Sequence, residues 1–316
     1  MRVLLYGCGA VGLGVAASIF QAGHSVDFIA KERTKATICS RGIKRIGIFK
    51  EVAIPPESIK IYDNFDSIEN QNYDFIMICT KSTSNKDTAK QLERNRRLLE
   101  LNGKIVIFQN GWGNDEPFLE YFSKTQIYSA RVITGFQRPE WNISEVTVHA
   151  SPILMGSLYG EDIVTLLPFA EAIDIGGIPC RVTNDVAKAL WAKMLYNCTL
   201  NPLGAVLGVS YGKLTESENS IFIMNNIIEE IFSVIQAAGY DTDWRNAEEY
   251  KKEFYSKLVP STYEHRSSTL QDIERKIKTE IDSLNGSIVL LGNKYNISVP
   301  YNTMIYNMIK AMESYF

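Results

Sequence analysis

The apolar positions of this chain fall into short continuous runs through its first half and into helix-like spacing from Asp185 onward. Residues 2–6 (Arg-Val-Leu-Leu-Tyr) are a β-favouring apolar run, as expected of a strand buried on both faces. Residues 13–22 then read as a helix closed by Gly23 as a left-handed cap, and residues 24–30 as a second strand. Gly14 inside that helix lowers propensity by about 1 kcal/mol, which marks a position where close packing matters more. Further β character is expected at residues 73–80, 104–108, 127–134 and 146–158, the last antiparallel. Short β pieces at 46–49 and 52–54 suggest a hairpin or an edge addition. Residues 84–101 read as a charged helix, and residues 168–173 as a short helix with Pro168 in its first turn.

Between the first strand and the first helix lies Gly7-Cys8-Gly9-Ala10-Val11-Gly12. Strand, glycine turn, helix and strand within residues 1–30 are the context that gives a G-x-G-x-x-G meaning. Gly7 would permit the tight turn, Gly9 the approach of a pyrophosphate, and Gly12 close packing of helix on strand. The helix N-terminus adds N–H groups for the phosphate. A signal peptide is excluded because four glycines break up the apolar region it would need. Residues 1–180 are therefore expected to form an α/β, Rossmann-type dinucleotide-binding domain, and residues 181–316 an all-helical domain, with the boundary near 178–184.

Composition narrows the partners. A formal net charge of −3 and the lack of a long basic run predict no nucleic-acid partner. No apolar stretch reaches the roughly 18 residues of a membrane span, so no membrane is expected. Five scattered cysteines without C-x-x-C spacing argue against a disulfide framework and a zinc site, and suit a reducing cytoplasm. Three histidines leave little material for a metal cluster, and none is expected.

The end of the second strand bears on the cofactor. A carboxylate there would take the ribose hydroxyl of NAD, and cations the 2′-phosphate of NADP. Asp27 has the nominal spacing, yet it lies mid-strand; the residues just beyond are Lys31, Glu32 and Arg33, two cations against one anion, which favours NADP(H). Lys81 follows the third buried strand, placed either to meet an anionic group or to open a polar surface loop. Asn110-Gly111 after the strand at 104–108 is either turn chemistry or a ligand contact. Lys193, Asn197 and Asn201 recur every four residues and share one helix face. That face is either turned to water or functional; asparagine is a poor helix former, so two on a lysine's face need a reason.

Taken together, Gly7-x-Gly9-x-x-Gly12, Lys81, Gln109-Asn110-Gly111, Lys193-x-x-x-Asn197-x-x-x-Asn201-Pro202, residues 267–272 and Thr279-Glu280-Ile281-Asp282 with Asn285-Gly286 resemble the ketopantoate reductase family over nearly the whole chain. The resemblance implies a Rossmann domain, a helical domain, and NADPH in a cleft between them. It implies Lys193 as general acid, Glu280 as its partner, Asn110 near nicotinamide and substrate, and Asn197, Asn201 and Ser268 on the substrate. By the same likeness Gly7 through Gly12, Lys31, Arg33, Lys81 and Asn110 would hold the cofactor. The implied reaction is NADPH-dependent reduction of 2-dehydropantoate, a small 2-oxo acid, in pantothenate biosynthesis, and a homodimer is the assembly to test. The competing readings are a related reductase of another 2-oxo or opine-type substrate, and a non-enzymatic NADP(H)-binding regulator. Trp112, Ser210-Tyr211-Gly212, Thr269 and the segment from Phe136 to Trp141 depart from the family pattern.

Overall fold

Val3, Leu4 and Leu5 are fully buried, so both faces of β1 (Arg2–Tyr6) are covered, as its sequence requires. The glycine turn leads into α1 (Ala10–Gln21), then β2 (Ser25–Ile29), α2 (Glu32–Arg41), β3 (Ile43–Gly47), β4 (Val52–Ile54) and β5 (Lys60–Tyr62). After these come β6 (Tyr73–Ile78), α3 (Asn85–Arg94), β7 (Leu99–Ile107), α4 (Glu116–Leu119), β8 (Ile127–Arg131) and β9 (Thr134–Gln137). β10 (Ile143–His149), β11 (Ile153–Gly156), α5 (Leu167–Ile175) and β12 (Cys180–Val182) complete the α/β part. The structure is a computed structural model that describes residues 1–316. It divides into one unit of Met1–Gln109 with Asn114–Val186 and a second of Asn110–Gly113 with Ala187–Phe316.

The first unit holds an eight-stranded sheet in the order β12-β11-β8-β7-β6-β1-β2-β5. All neighbours are parallel except β8 and β11. The chain runs from β1 outward through β2 to β5 and then returns to β6 on the other side. The switch point thus lies at the carboxyl ends of β1 and β6, where open α/β sheets bind ligands. The expected charged helix at 84–101 is shorter: α3 stops at Arg94, and Leu99 already begins β7.

A second sheet, β4-β3-β10-β9, was not legible as such. A hairpin of β3 and β4 does form, but its first strand runs 43–47 rather than 46–49 and pairs through Ile43, Lys44 and Arg45; β3 also pairs in parallel with β10, about a hundred residues on in sequence. The β region read at 146–158 is two strands, with β10 in this sheet and β11 in the larger one. Gly14 is where α1 meets the second sheet: a Cβ there would lie 2.6 Å from Phe136 and 2.7 Å from Ser144.

Arg45 on β3 is fully buried and ties these layers together. Its Nη1 donates to Ser18 Oγ on α1 and to Gly176 O at the end of α5 (2.9 Å), and its Nη2 donates to Lys50 O at 2.9 Å. The Gly176 carbonyl belongs to a helix C-terminus, whose partial negative charge offsets the guanidinium.

The second unit is helical, as the sequence pattern indicates: α6 (Val186–Leu207), α7 (Tyr211–Leu214), α8 (Glu218–Ala238), α9 (Ala247–Glu253), α10 (Ser268–Glu274), α11 (Asn285–Tyr295) and α12 (Pro300–Glu313). Helix α8 does have the length and hydropathy of a membrane span, which the sequence reading did not expect. However, Ile227, Ile228, Ile231, Val234 and Ile235 pack into the core of this unit. Its buried Glu230 accepts from the backbone amides of Tyr301 (2.8 Å) and Asn302 (2.9 Å) at the start of α12. These are the contacts of a core helix. Helix α6 continues through Pro202, which has no N–H for the Cys198 carbonyl. Asn285 Nδ2 supplies the missing donor at 3.0 Å and so docks α11 on α6.

Replacing Arg45 by Met leaves the Ser18, Gly176 and Lys50 acceptors unpaired. At about 1–3 kcal/mol per buried unsatisfied group, the loss should reach about 3 kcal/mol in denaturant unfolding. An unchanged midpoint would show that these contacts contribute nothing to stability.

Candidate active site

The glycine turn is shaped by two close approaches and one opening. Gly7 has φ +109°, and a Cβ on it would lie 2.4 Å from the backbone nitrogen of Thr80 after β6. Gly12 is similarly tight, with Gly7 O 2.4 Å from where a Cβ would stand. Gly9 differs, because a Cβ there would meet nothing within 4 Å. Gly9 is also the N-cap of α1, with no side chain capping the helix. An open cradle at an uncapped helix N-terminus fits a pyrophosphate. Burial pushes the Cys8 thiol up to about 12, and Sγ donates to Ile29 O at 3.6 Å. The Ala10 carbonyl accepts from Ser144 Oγ at 2.7 Å, so β10 steadies the first turn. Val11 is half-buried.

Lys31 is exposed as the N-cap residue of α2, and Arg33 lies in that helix's first turn with its guanidinium over the Trp141 ring. Asp27 stands mid-strand and buried, accepting from Tyr73 OH at 2.8 Å, and burial raises its pKa above the usual carboxylate value. It is therefore engaged away from the strand's mouth. Lys81 is half-buried just past β6, at the start of a 3-10 turn over Ser82–Ser84. Gln109 Nε2 donates to Thr80 O at 2.8 Å and to Asn85 Oδ1 at 2.7 Å, which latches the ends of β6 and β7.

In the second unit, α6 carries Lys193, Asn197 and Asn201 along one face. Lys193 Nζ donates to Asn110 Oδ1 at 2.5 Å, and Asn110 Nδ2 donates to Glu280 Oε2 at 3.2 Å. Since an ammonium only donates and a carboxylate only accepts, the Asn110 amide can point in one direction only. Lys193, Asn110 and Glu280 thus form one oriented chain.

Asn110 and the loop bearing Glu280 are each held from behind. Ser283 Oγ donates to Asn110 O at 3.1 Å, and Trp112 N donates to Ser283 O at 2.8 Å. Trp112 packs on Trp191 of α6 and on Tyr240, ring centroids 4.8 Å away in both cases. The loop bearing Glu280 is clamped by α12. Thr279 N and Oγ1 donate to Glu313 Oε1, both at 2.7 Å, while Tyr306 OH donates to Asp282 Oδ1 at 2.8 Å.

Asn197 is buried, and its amide is bonded to no protein group, which leaves donor and acceptor for a ligand. Asn201 Oδ1 accepts from the Tyr211 hydroxyl. Ser268 is exposed at the start of α10. It is the neighbouring Ser267 that touches the asparagine face, donating to Asn201 O at 3.0 Å and capping Leu270 N at 3.0 Å. Sequence spacing alone does not tell which of two adjacent serines turns inward.

Residues 3–158 match the family described as Ketopantoate reductase PanE/ApbA, and residues 185–313 match Ketopantoate reductase PanE/ApbA C terminal. The 2-dehydropantoate 2-reductase of Aquifex aeolicus is 37% identical over 99% of this chain and 97% of its own length. That of Archaeoglobus fulgidus is 26% identical over 99% of this chain and 98% of its own. The chain belongs to the ketopantoate reductase family. Among solved structures, the 2-dehydropantoate 2-reductase of Geobacter metallireducens superposes with a TM-score of 0.86 at 22% identity, covering 98% of this chain and 99% of that one. A D-mandelate dehydrogenase solved with NADH and anilino(oxo)acetate gives 0.87 at 20% identity, covering 100% and 99%. These two show the shared fold. As an oxidoreductase of the ketopantoate reductase family, the protein must position a proton donor, and the Lys193–Asn110–Glu280 chain is a group able to do so.

Gly111 sets that chain's geometry. With φ +103°, it lies so close to Ser283 that a Cβ would be 2.3 Å from the Ser283 carbonyl oxygen. Gly111→Ala should push Asn110 away from Lys193 and Glu280. A displacement of about 1 Å near the chemistry costs on the order of a hundredfold in rate, so kcat should fall by about that factor with circular dichroism unchanged. Full turnover in the variant would show that the arrangement of Asn110 does not matter.

Proposed function

We propose that the protein reduces 2-dehydropantoate to pantoate with NADPH, with Lys193 as general acid. The observation that carries this reading is the oriented chain from Lys193 through Asn110 to Glu280, one helical turn from the unbonded amide of Asn197. The names of the curated relatives support the substrate. The Gly9 cradle, with Lys31, Arg33 and Lys81 at the strand ends, supports the phosphorylated cofactor.

When bound, NADPH supplies the hydride that reaches the ketone carbon. Lys193 Nζ gives its proton to the ketone oxygen as charge develops there, and its positive charge stabilises the oxyanion. Asn110 Oδ1 fixes the direction of the ammonium, and Glu280 holds the Asn110 amide in the orientation that permits this. Asn197 and the amide nitrogen of Asn201 supply donors to the carboxylate and hydroxyl ends of the substrate, and Ser268, exposed at the start of α10, is left out of that set. Tyr211 keeps Asn201 in place through its hydroxyl.

A spectrophotometric NADPH-oxidation assay tests the reading. 2-Dehydropantoate should exceed 2-oxoisovalerate strongly in kcat/KM, since buried groups that bond the substrate hydroxyl go unpaired with an analogue lacking it. If 2-oxoisovalerate or a bulkier oxo acid is the better substrate, the substrate assignment fails and the reductase class alone stands.

Lys193→Ala should lower turnover by about 10²–10⁴, the usual contribution of a positioned acid, while NADPH titration changes little. Near-normal turnover would exclude Lys193 as the proton donor.

A further inference from the structure

Residues 138–142 connect β9 to β10, and Arg138 of this loop reaches the glycine turn. Arg138 Nη1 donates to the carbonyl oxygen of Cys8 at 2.8 Å, one residue before Gly9. Its charge is near enough to bear on the Cys8 thiol. The Arg138 guanidinium lies 4.4 Å from the centroid of the Trp141 ring, and the Arg33 guanidinium lies 4.7 Å from the same ring. At the other end of α2, Arg41 pairs with Glu140 at 3.0 Å and holds the loop to that helix at a second point.

Two guanidinium groups on one exposed indole concentrate positive charge just past β2, and one of them is tied to the glycine turn at the Cys8 carbonyl. Guanidinium planes bond phosphate oxygens bidentately and stack on aromatic rings, so they suit a phosphate carried by a nucleoside.

We propose that Arg138, Trp141 and Arg33 together recognise the adenosine 2′-phosphate end of NADP(H), with Arg138 as the specificity-determining residue. This rests on the NADPH reading above and assigns it to a loop that departs from the family pattern. Arg138 is held at the turn by Cys8 and in its stack by Trp141, so its charge is presented at a set place.

Calorimetric titration of NADPH, NADH and 2′,5′-ADP into the wild type, Arg138→Gln, Arg138→Lys and Trp141→Phe tests the proposal. Arg138→Gln should weaken NADPH and 2′,5′-ADP about ten- to hundredfold, as loss of a charge-assisted contact does, with NADH changed by less than about threefold. Arg138→Lys keeps the charge without the fork and should fall between. The steeper salt dependence of NADPH binding should flatten in Arg138→Gln. If the wild type prefers NADPH and both Arg138 variants keep the full preference, the proposal is overturned and the cofactor reading stands. Equal losses for NADH and NADPH would also overturn it, because Arg138 would then serve only the turn. Equal binding of NADH and NADPH by the wild type would instead overturn the cofactor reading itself.

Discussion

The backbone of Gly111 lies against Ser283 with no room for a side chain, and the candidate site depends on this approach. It lets Asn110 reach Lys193 on α6 and Glu280 on the loop before α11 at the same time. The four residues Asn110–Gly113 thereby group with the helical unit although both flanking segments belong to the α/β unit. Trp112 adds apolar weight to that placement through its packing on Trp191 and Tyr240. Trp112 is thus a packing residue for this segment.

Helix α6 shows how function and stability share residues. Asn201 and Pro202 would both be poor choices in a free helix. The proline's missing donor is replaced by Asn285, and the asparagine is engaged by Tyr211 and backed by Ser267. These bonds fix α6 in rotation, and so fix where Lys193 and Asn197 point. The clamp of α12 on the segment around Glu280 does the same for the carboxylate. Rigid support of this kind holds the Lys193, Asn110 and Glu280 side chains in one arrangement.

In the α/β unit the second sheet has a corresponding part. Phe136 and Ser144 meet α1 at Gly14, Ser144 bonds the Ala10 carbonyl, and Arg138 bonds that of Cys8. The glycine turn therefore rests on side chains that lie more than a hundred residues away in sequence. Arg45 joins the same sheet to α1 and α5 through the Ser18 hydroxyl and the Gly176 carbonyl.

The sequence by itself determined the order of strand, glycine turn and helix, the run of helices after Asp185, and the shared face of Lys193, Asn197 and Asn201. These follow from local periodicity, cap residues and helical geometry, which act over a few residues. Asp27 was also placed mid-strand from its neighbours alone, and the structure shows it buried there. Only the tertiary structure decided that β3 and β10 share a sheet, since strand pairing across such separations leaves no local trace. It alone decided that Asn110 bonds both Lys193 and Glu280, and that Ser267 rather than Ser268 turns toward Asn201. It alone brought Arg138 and Arg33 to one indole. Each of these is a meeting of groups distant in sequence, and their distances follow from packing, which periodicity does not encode.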